Sequence, residues 1–140
     1  MLEKIRREGI TILVSTPYMD EAARCDRIAL FQKGRVLDIV DPSEPVQGPY
    51  PVYAVRSSKS PYSYLKYLRS LKSCRSAWLF GDELHVTLNS PGEAEGVKQG
   101  LLERGDGSLE WIAVESSIED RFMELMQEAD GHPWNKEGAG

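Results

Sequence analysis

The pattern of hydrophobic and polar positions divides the chain into two parts. In the first part, residues 10–15 are apolar or β-branched at nearly every position, which predicts a strand buried on both faces, as in a parallel sheet. Pro17 ends this strand because proline cannot donate to a central ladder. We expect a short helix over residues 18–24 and then a hairpin built from residues 27–32 and 35–40.

A proline-rich stretch separates the two parts. Residues 41–51 contain four prolines and one glycine, a composition that excludes both a helix interior and a central strand. We place the boundary near Gly48, which gives one domain over residues 1–47 and a second over 48–129. Residues 130–140 are polar and glycine-rich, and we expect a flexible tail there.

The second part has the predicted element order β-α-β-β-α-β, which is that of a ferredoxin-like domain, over residues 52–114. Clean alternation of Leu84, Val86 and Leu88 with polar neighbours indicates one of its strands. A last helix follows, with Ser116 and Glu119 predicted to form its capping box. The fold class is therefore α/β, more narrowly α+β. The predicted strands are 52–57, 76–80, 83–89 and 109–114, and the predicted helices begin at Ser60 and Ser90.

Charge and cysteine content narrow the function classes. The net charge is −5, and it is carried by the part after residue 40, which has ten Lys/Arg against sixteen Asp/Glu. This acidity argues against a nucleic-acid partner. No apolar run approaches the roughly 18 residues that span a bilayer. Cys25 and Cys74 have no metal-like spacing, and we expect free thiols in a reducing cytosol.

Four segments resemble parts of one protein family. The ATPase domain of ATP-binding cassette (ABC) transporters ends in a segment that is similar to GITILVSTPYMDEA at residues 9–22, CDRIAL at 25–30 and GRV at 34–36. The closing helix of the C-terminal extension in the drug-exporter branch resembles SSIEDRFMELM at 116–126. The resemblance implies a remnant of the ATPase core strands, followed by an accessory domain and its C-terminal helix.

The resemblance also implies a location for one loop. It places Ser15, Thr16 and Pro17 near the nucleotide in a full-length parent, where a histidine that contacts the terminal phosphate usually takes the position of Pro17. Proline has no side-chain donor, so this switch-histidine loop is degenerate. The phosphate-binding motif G-x-x-x-x-G-K-[ST] does not occur in the 140 residues. We expect no catalytic residue, no metal site and no cofactor for this chain, whereas ATP and magnesium belong to a full-length parent.

The expected function is that of a C-terminal fragment of an ABC transporter ATP-binding protein. Its role would be structural or regulatory and would include subunit pairing in ATP-driven export, without catalysis by this chain alone. The expected partners are the rest of the ATPase core and a membrane permease subunit, which would hold the protein in the cytoplasm at the inner membrane. An exposed strand at residues 10–14 would also favour a homodimer.

An alternative function comes from another class. The ferredoxin-like part could serve as a free-standing module that senses a ligand or binds another protein. Binding of a small metabolite by residues 52–129 alone would favour this alternative.

The remaining polar candidates have plain structural interpretations. His85 alternates with core positions and should face outward, towards solvent or a partner, and His132 falls in the predicted tail. Asp20 and Glu21 are adjacent on a helix and point about 100° apart, so they suit a helix N-terminus better than a carboxylate pair. We assemble no catalytic triad from these residues.

Two groups of side chains raise the question of a macromolecular partner. A basic stripe on one helix is expected to be solvated or to meet an acidic surface; it comprises Lys66, Arg69 and Lys72, with Arg75 beyond it. Aromatic residues on predicted strands could stack RNA bases, but the RNA-binding sequence pattern is missing. These aromatic residues are Tyr53, Trp78 and Phe80.

Overall fold

The chain forms two antiparallel sheets with helices packed against them, an α+β arrangement. The structure is a computed structural model that describes residues 2–46, 48–105 and 108–130. Its helices are α1 (Leu2–Arg7), α2 (Met19–Ala22), α3 (Tyr62–Ser70), α4 (Ala94–Arg104) and α5 (Ile118–Ala129). Its strands are β1 (Ile28–Gln32), β2 (Arg35–Val40), β3 (Val52–Arg56), β4 (Cys74–Phe80), β5 (Glu83–Leu88) and β6 (Glu110–Val114). The predicted mixture of helix and strand is confirmed.

The larger sheet has four strands in the order β4-β5-β3-β6, and each neighbouring pair is antiparallel. Alternation along β5 sets its orientation, because Leu84, Val86 and Leu88 all point to one face and are completely buried. A tight turn at Gly81, with φ of 63°, joins β4 to β5. Glycine suits this turn because L side chains rarely adopt positive φ.

Helices α3 and α4 cover the apolar face of the four-stranded sheet. A short 3₁₀ turn, Pro91–Glu93, leads into α4, and Ser90 caps it in a reciprocal capping box with Glu93. The core between helices and sheet is continuous and includes a stacked aromatic pair, Tyr53 and Trp111, whose ring centroids lie 4.8 Å apart. Its most deeply buried members are Tyr64, Leu68, Leu84, Leu88, Leu101, Val55 and Val86.

A second, smaller apolar cluster joins the N-terminal hairpin to the C-terminal helix. Ile28 and Leu30 of β1 are buried there, together with Ala22 of α2. The partly buried side chains that complete the cluster include Ile118, Phe122 and Leu125 of α5. A two-stranded hairpin is marginal in water by itself, so α5 supplies the apolar cover that β1 and β2 need.

The predicted strand at residues 10–15 is wrong for this chain. These residues have no regular secondary structure, and no described strand pairs with them. Leu13 is 98% exposed, Ile10 is 53% exposed and Val14 is 46% exposed. A strand of this apolar composition requires neighbours on both sides to satisfy its backbone groups, and the described residues offer none.

The capping box of α5 lies one residue later than predicted. Ser117, not Ser116, is the N-cap, and Asp120, not Glu119, is its reciprocal partner. The Ser117 hydroxyl accepts from the Asp120 amide at 3.1 Å, while the Asp120 carboxylate accepts from the Ser117 amide at 2.8 Å. The predicted tail lies outside the described residues except for Asp130, whose carboxylate accepts from Lys33 at 2.7 Å.

Candidate functional site

The loop that the sequence places near a nucleotide is largely solvent-exposed. Ser15 and Pro17 are exposed and Thr16 is half-buried, just before α2. The Thr16 hydroxyl donates to the Glu21 carboxylate at 2.6 Å and accepts from the Tyr18 amide at 3.1 Å. Because a hydroxyl has one proton to donate, this local bond occupies the donor that a phosphate oxygen would need.

The same bond explains the role of the acidic residues in α2. Glu21 is tied to Thr16, whereas Asp20 is exposed in the first turn of the helix. The two carboxylates do not share a partner, as expected from adjacent helix positions. Thr16 lies two residues before the N-cap, Tyr18, and its side chain links the loop to the first turn of α2.

The best-formed polar cluster surrounds His85 on the opposite face of the four-stranded sheet from the core. Alternation along β5 turns His85 away from the core, and the first turn of α5 carries Asp120 over it. The His85 Nδ1 atom lies 2.8 Å from Asp120 Oδ1, and its Nε2 atom lies 3.0 Å from Glu83 Oε1. The imidazole therefore bridges two carboxylates, one on the sheet and one on the helix.

Burial makes this cluster more than a surface ion pair. The side chain of Asp120 is 5% exposed, that of His85 is 15% exposed and that of Glu83 is 18% exposed. The predicted direction of His85 is confirmed, but the predicted surface location is wrong because α5 covers the side chain. Phe80 adds to the cover, with its ring edge-on to the imidazole at a centroid distance of 5.0 Å.

The electrostatics of the cluster favour a charged imidazole. The hydrogen bond to Asp120 is the largest effect on His85 and raises its pKa, with Glu83 acting in the same direction against the opposing effect of burial. Burial would raise the pKa of Asp120, but the bonds from His85 and Ser117 together outweigh it and lower that pKa. Both shifts describe a pair that is most stable as imidazolium and carboxylate.

The cluster holds a serine, an aspartate and a histidine, but not in the order of a nucleophilic triad. In a triad the histidine accepts the serine proton, and the aspartate binds the other side of the ring. Here the Ser117 hydroxyl donates to Asp120 at 2.8 Å, and both ring nitrogens of His85 already face carboxylates. The arrangement can hold a helix on a sheet and can bind a proton, but it does not activate a hydroxyl.

Further ion pairs extend the contact between α5 and the two sheets. Arg75 of β4 lies 3.5 Å from Glu124 and 3.1 Å from Glu128. Arg121 reaches Asp38 of β2 at 3.4 Å, so α5 has a charged contact to each sheet. The sequence pattern did not predict these ion pairs or the contact between His85 and Asp120. The one local signal for the contact was the Ser-x-x-Asp spacing of the α5 cap.

The basic stripe does not form a free face. The Arg69 guanidinium donates to the Ala77 carbonyl at 3.2 Å and lies over the Trp78 ring, 5.4 Å from its centroid. Arg75 pairs with α5 and lies over the ring of Tyr50. Two of the four basic side chains therefore have structural contacts to the sheet, to α5 or to the linker.

The three strand aromatics do not form one stacking surface. Tyr53 is buried in the core beneath α3 and α4, where it stacks on Trp111. Trp78 lies opposite His85 in the β4–β5 register, and Phe80 lies opposite Glu83, on the same face as His85 and away from Tyr53. A base-stacking platform requires neighbouring aromatics on one open face, which is not the arrangement of these three residues.

Large apolar side chains are exposed mainly in the N-terminal part. Among the described residues, ten large hydrophobic side chains are exposed, and seven of these lie between residues 10 and 39. Four of the seven belong to residues 10–18, and the other three lie on the hairpin, where Phe31 is paired with Val36 in the strand register. We call these seven the N-terminal apolar residues: Ile10, Leu13, Val14, Tyr18, Phe31, Val36 and Ile39.

Other features of the described chain offer little for ligand chemistry. A surface cleft of about 270 Å³ lies between α3 and α4, lined by Tyr67, Leu71, Ser73, Glu93, Gly96 and Val97. Within residues 2–46, 48–105 and 108–130, no three histidine, cysteine or acidic side chains come together as a metal site. In the same ranges, no helix has both the length and the apolar character that crossing a bilayer requires.

Comparison with known proteins gives no relative for this chain. A scan against protein-family models, a search of curated proteins and a search of solved structures each found no match.

Proposed function

We propose that this chain acts as the C-terminal portion of an ABC transporter's ATP-binding subunit. Residues 1–47 would complete an ATPase core, and residues 48–129 would form an accessory domain that regulates or pairs subunits. ATP and magnesium would be bound by the rest of the core, and the whole assembly would lie at the cytoplasmic side of the membrane through a permease partner. On its own the chain would not hydrolyse ATP.

The exposed state of residues 10–14 is the observation that carries this proposal. Their sequence is that of a strand buried on both faces, yet Leu13 is 98% exposed. Clustered apolar exposure of this kind marks a binding surface for another protein segment. Strands on either side, from the remainder of an ATPase core, would bury the apolar side chains and satisfy the backbone groups.

Two further observations support the accessory role. The strand order β4-β5-β3-β6, with helices between β3 and β4 and between β5 and β6, is compatible with a ferredoxin-like domain. The segment that resembles the exporter's closing helix is α5, and α5 packs on the hairpin within residues 1–47. A helix that contacts both parts is well placed to transmit movement between them.

Association in trans tests the proposal. A P-loop-bearing polypeptide from an exporter-type ATPase, ending before its own switch strand, would be mixed with this chain. We expect a complex in which the amides of residues 10–15 gain protection from hydrogen exchange. Leu13→Asp should abolish the complex, whereas Tyr62→Asp, a matched change at a 71% exposed apolar side chain, should not. Absence of any complex at tens of micromolar, or tight ATP binding by the chain alone, would overturn the proposal.

One observation favours the alternative of a free-standing interaction module. Strand β6 is an edge of the four-stranded sheet, and Ile112 on it is 50% exposed. An open edge can pair with another strand, so two copies could join through β6. Ile112→Lys would then disrupt a dimer that Leu13→Asp leaves intact, as measured by sedimentation.

A further inference from the structure

The first turn of α5 is attached to the four-stranded sheet by a bridge of two carboxylates and one imidazole, and Arg75 of β4 holds the later turns through Glu124 and Glu128. On the sheet side His85 is fixed by β5, and on the helix side Asp120 is fixed by its capping bonds to Ser117. Three apolar side chains of α5, Ile118, Phe122 and Leu125, pack on the hairpin cluster rather than on the four-stranded sheet. Loss of the polar bridge would therefore loosen the first turn of α5 on the sheet without first disrupting the main core, while Arg75 still pairs with Glu124 and Glu128.

The groups that face His85 come from several elements. On its own strand Glu83 contacts Nε2, and on α5 Asp120 contacts Nδ1. Strand β4 contributes Phe80 and Trp78, which carry no charge. Strand β3 contributes a cation, Arg56, which pairs with Glu83 rather than with the imidazole, and β6 contributes Glu110, 4.0 Å from Arg56.

We propose that His85 is a pH-dependent latch, which holds α5 on the sheet while the imidazole is protonated and loosens α5 when it is neutral. Because Ile118 in the first turn of α5 also packs on the hairpin cluster, loosening that turn would weaken the cover of the second apolar cluster. The latch is a property of the fold itself and does not depend on the proposed role in an ATPase subunit.

The geometry explains why one proton has this effect. An imidazolium donates from both nitrogens and satisfies both carboxylates, whereas a neutral ring has one N–H and one lone pair. If the remaining N–H stays on Nδ1, a lone pair faces Glu83 Oε1 at 3.0 Å. If it moves to Nε2, Asp120 keeps its charge in a buried position with only Ser117 as donor. Either tautomer leaves a repulsive or undersatisfied contact.

The contact between α5 and the sheet should weaken as the pH rises. The bond to Asp120 raises the pKa of His85, so the stabilising contact is complete below the ordinary histidine value of about 6.5. It is lost as the pH rises through the higher value in the folded protein. The equilibrium for α5 release should change by about tenfold for each unit by which the pKa is raised.

Hydrogen exchange measured from pH 5.5 to 9 tests the latch on the full chain. After correction for the intrinsic rate at each pH, protection of the amides in α5 should fall as the pH rises. Protection in β5, at Leu84 and Val86, should stay well above that of α5 at every pH, because these amides exchange only when the main core opens. The midpoint should coincide with the titration of the His85 ring measured by NMR in the same sample. A constant protection factor for α5 across the His85 titration would overturn the proposal.

Two variants separate the latch from a general effect of pH. His85→Gln, which cannot titrate, should give an α5 protection factor that is low and independent of pH. His132→Gln removes the chain's other histidine and should leave the wild-type profile unchanged. The proposal fails if His85→Gln retains the wild-type profile or if His132→Gln abolishes it. The wild-type comparison with NMR stands even if His85→Gln does not fold.

Discussion

Tyr67 of α3 lies directly against Gly100 of α4, and the pair sets how closely these two helices approach. A Cβ atom placed on Gly100 would collide with the Tyr67 side chain, standing 2.9 Å from the ring atom Cζ. The guanidinium of Arg104 covers the same ring, with its central carbon 3.8 Å from the centroid. A methyl group at position 100 therefore requires the Tyr67 ring, which Arg104 covers, to move.

Gly100→Ala should therefore destabilise the protein although alanine favours helix. Overpacking costs about 1–3 kcal/mol, against a gain of about 1 kcal/mol from helix propensity, so we expect a net loss of roughly 1 kcal/mol. Gly96→Ala, on the same helix with no atom within 4 Å of its Cβ, should instead stabilise by about 0.5–1 kcal/mol. Urea unfolding measures both, and equal effects of the two changes would contradict the close contact.

The corrected capping box gives a second prediction. Ser117→Ala removes the N-cap of α5 and one donor to the buried Asp120, so the free energy of unfolding should fall by about 1–2 kcal/mol. Ser116→Ala should change it by less than about 0.5 kcal/mol, since Ser116 is not the cap. Circular dichroism during urea unfolding would decide between the two serines. A larger loss at Ser116 would restore the sequence-based assignment.

Global stability should depend on pH in two directions. The raised pKa of His85 gives stability that is present below about pH 6.5 and is lost as the pH rises through the folded value. The lowered pKa of Asp120 gives stability that is present above about pH 3.9 and is lost as the pH falls through its folded value. The contribution of the pair is thus greatest at weakly acidic pH.

Asp120→Asn isolates that contribution. In the variant, the free energy of unfolding should no longer fall at this site as the pH falls through the pKa of Asp120. The pKa of His85 should lie nearer to the ordinary histidine value, because the main partner carboxylate is gone. The difference in unfolding free energy between wild type and variant, measured in urea at successive pH values, gives the profile of the pair. A difference that does not vary with pH would show that the two groups are not coupled.

The two cysteines should differ sharply in reactivity. Burial raises the pKa of the Cys74 thiol to about 12, and its Sγ donates to the Ser76 carbonyl, whereas Cys25 is only half-buried. Because the thiolate is the reactive form, a thiol reagent at pH 8 should modify Cys25 alone in the folded protein and both cysteines in urea. Cys25→Ser should show no fast modification. Rapid labelling of Cys74 in that variant would contradict the buried environment.

Local patterns in the sequence predicted the elements whose environment is decided within a few residues. The alternation at Leu84, Val86 and Leu88 identified β5 and its buried face, because the period of two is a property of the strand itself. The hairpin of β1 and β2 was likewise found from adjacent strands and a tight turn. Ser90 was recognised as a helix start because Pro91 follows it at the first helical position.

Predictions that depended on distant partners were less successful. Residues 10–15 have the composition of a buried strand, but composition cannot supply the neighbours that bury it. The direction of His85 followed from alternation, whereas its cover by Asp120 depends on a contact 35 positions away. Two consecutive serines also made the α5 cap ambiguous by one residue, which only the backbone geometry resolves.

Helix α5 follows the hairpin in the chain, so the hairpin is synthesised before the helix that covers it. During synthesis the hairpin leaves the ribosome well before Ile118, so Ile28 and Leu30 must wait for the helix that will cover them. Through that interval the nascent chain exposes both its hairpin cluster and the apolar residues 10–14. A newly made chain is thus most prone to aggregate, and most in need of a chaperone, in the seconds before α5 is complete.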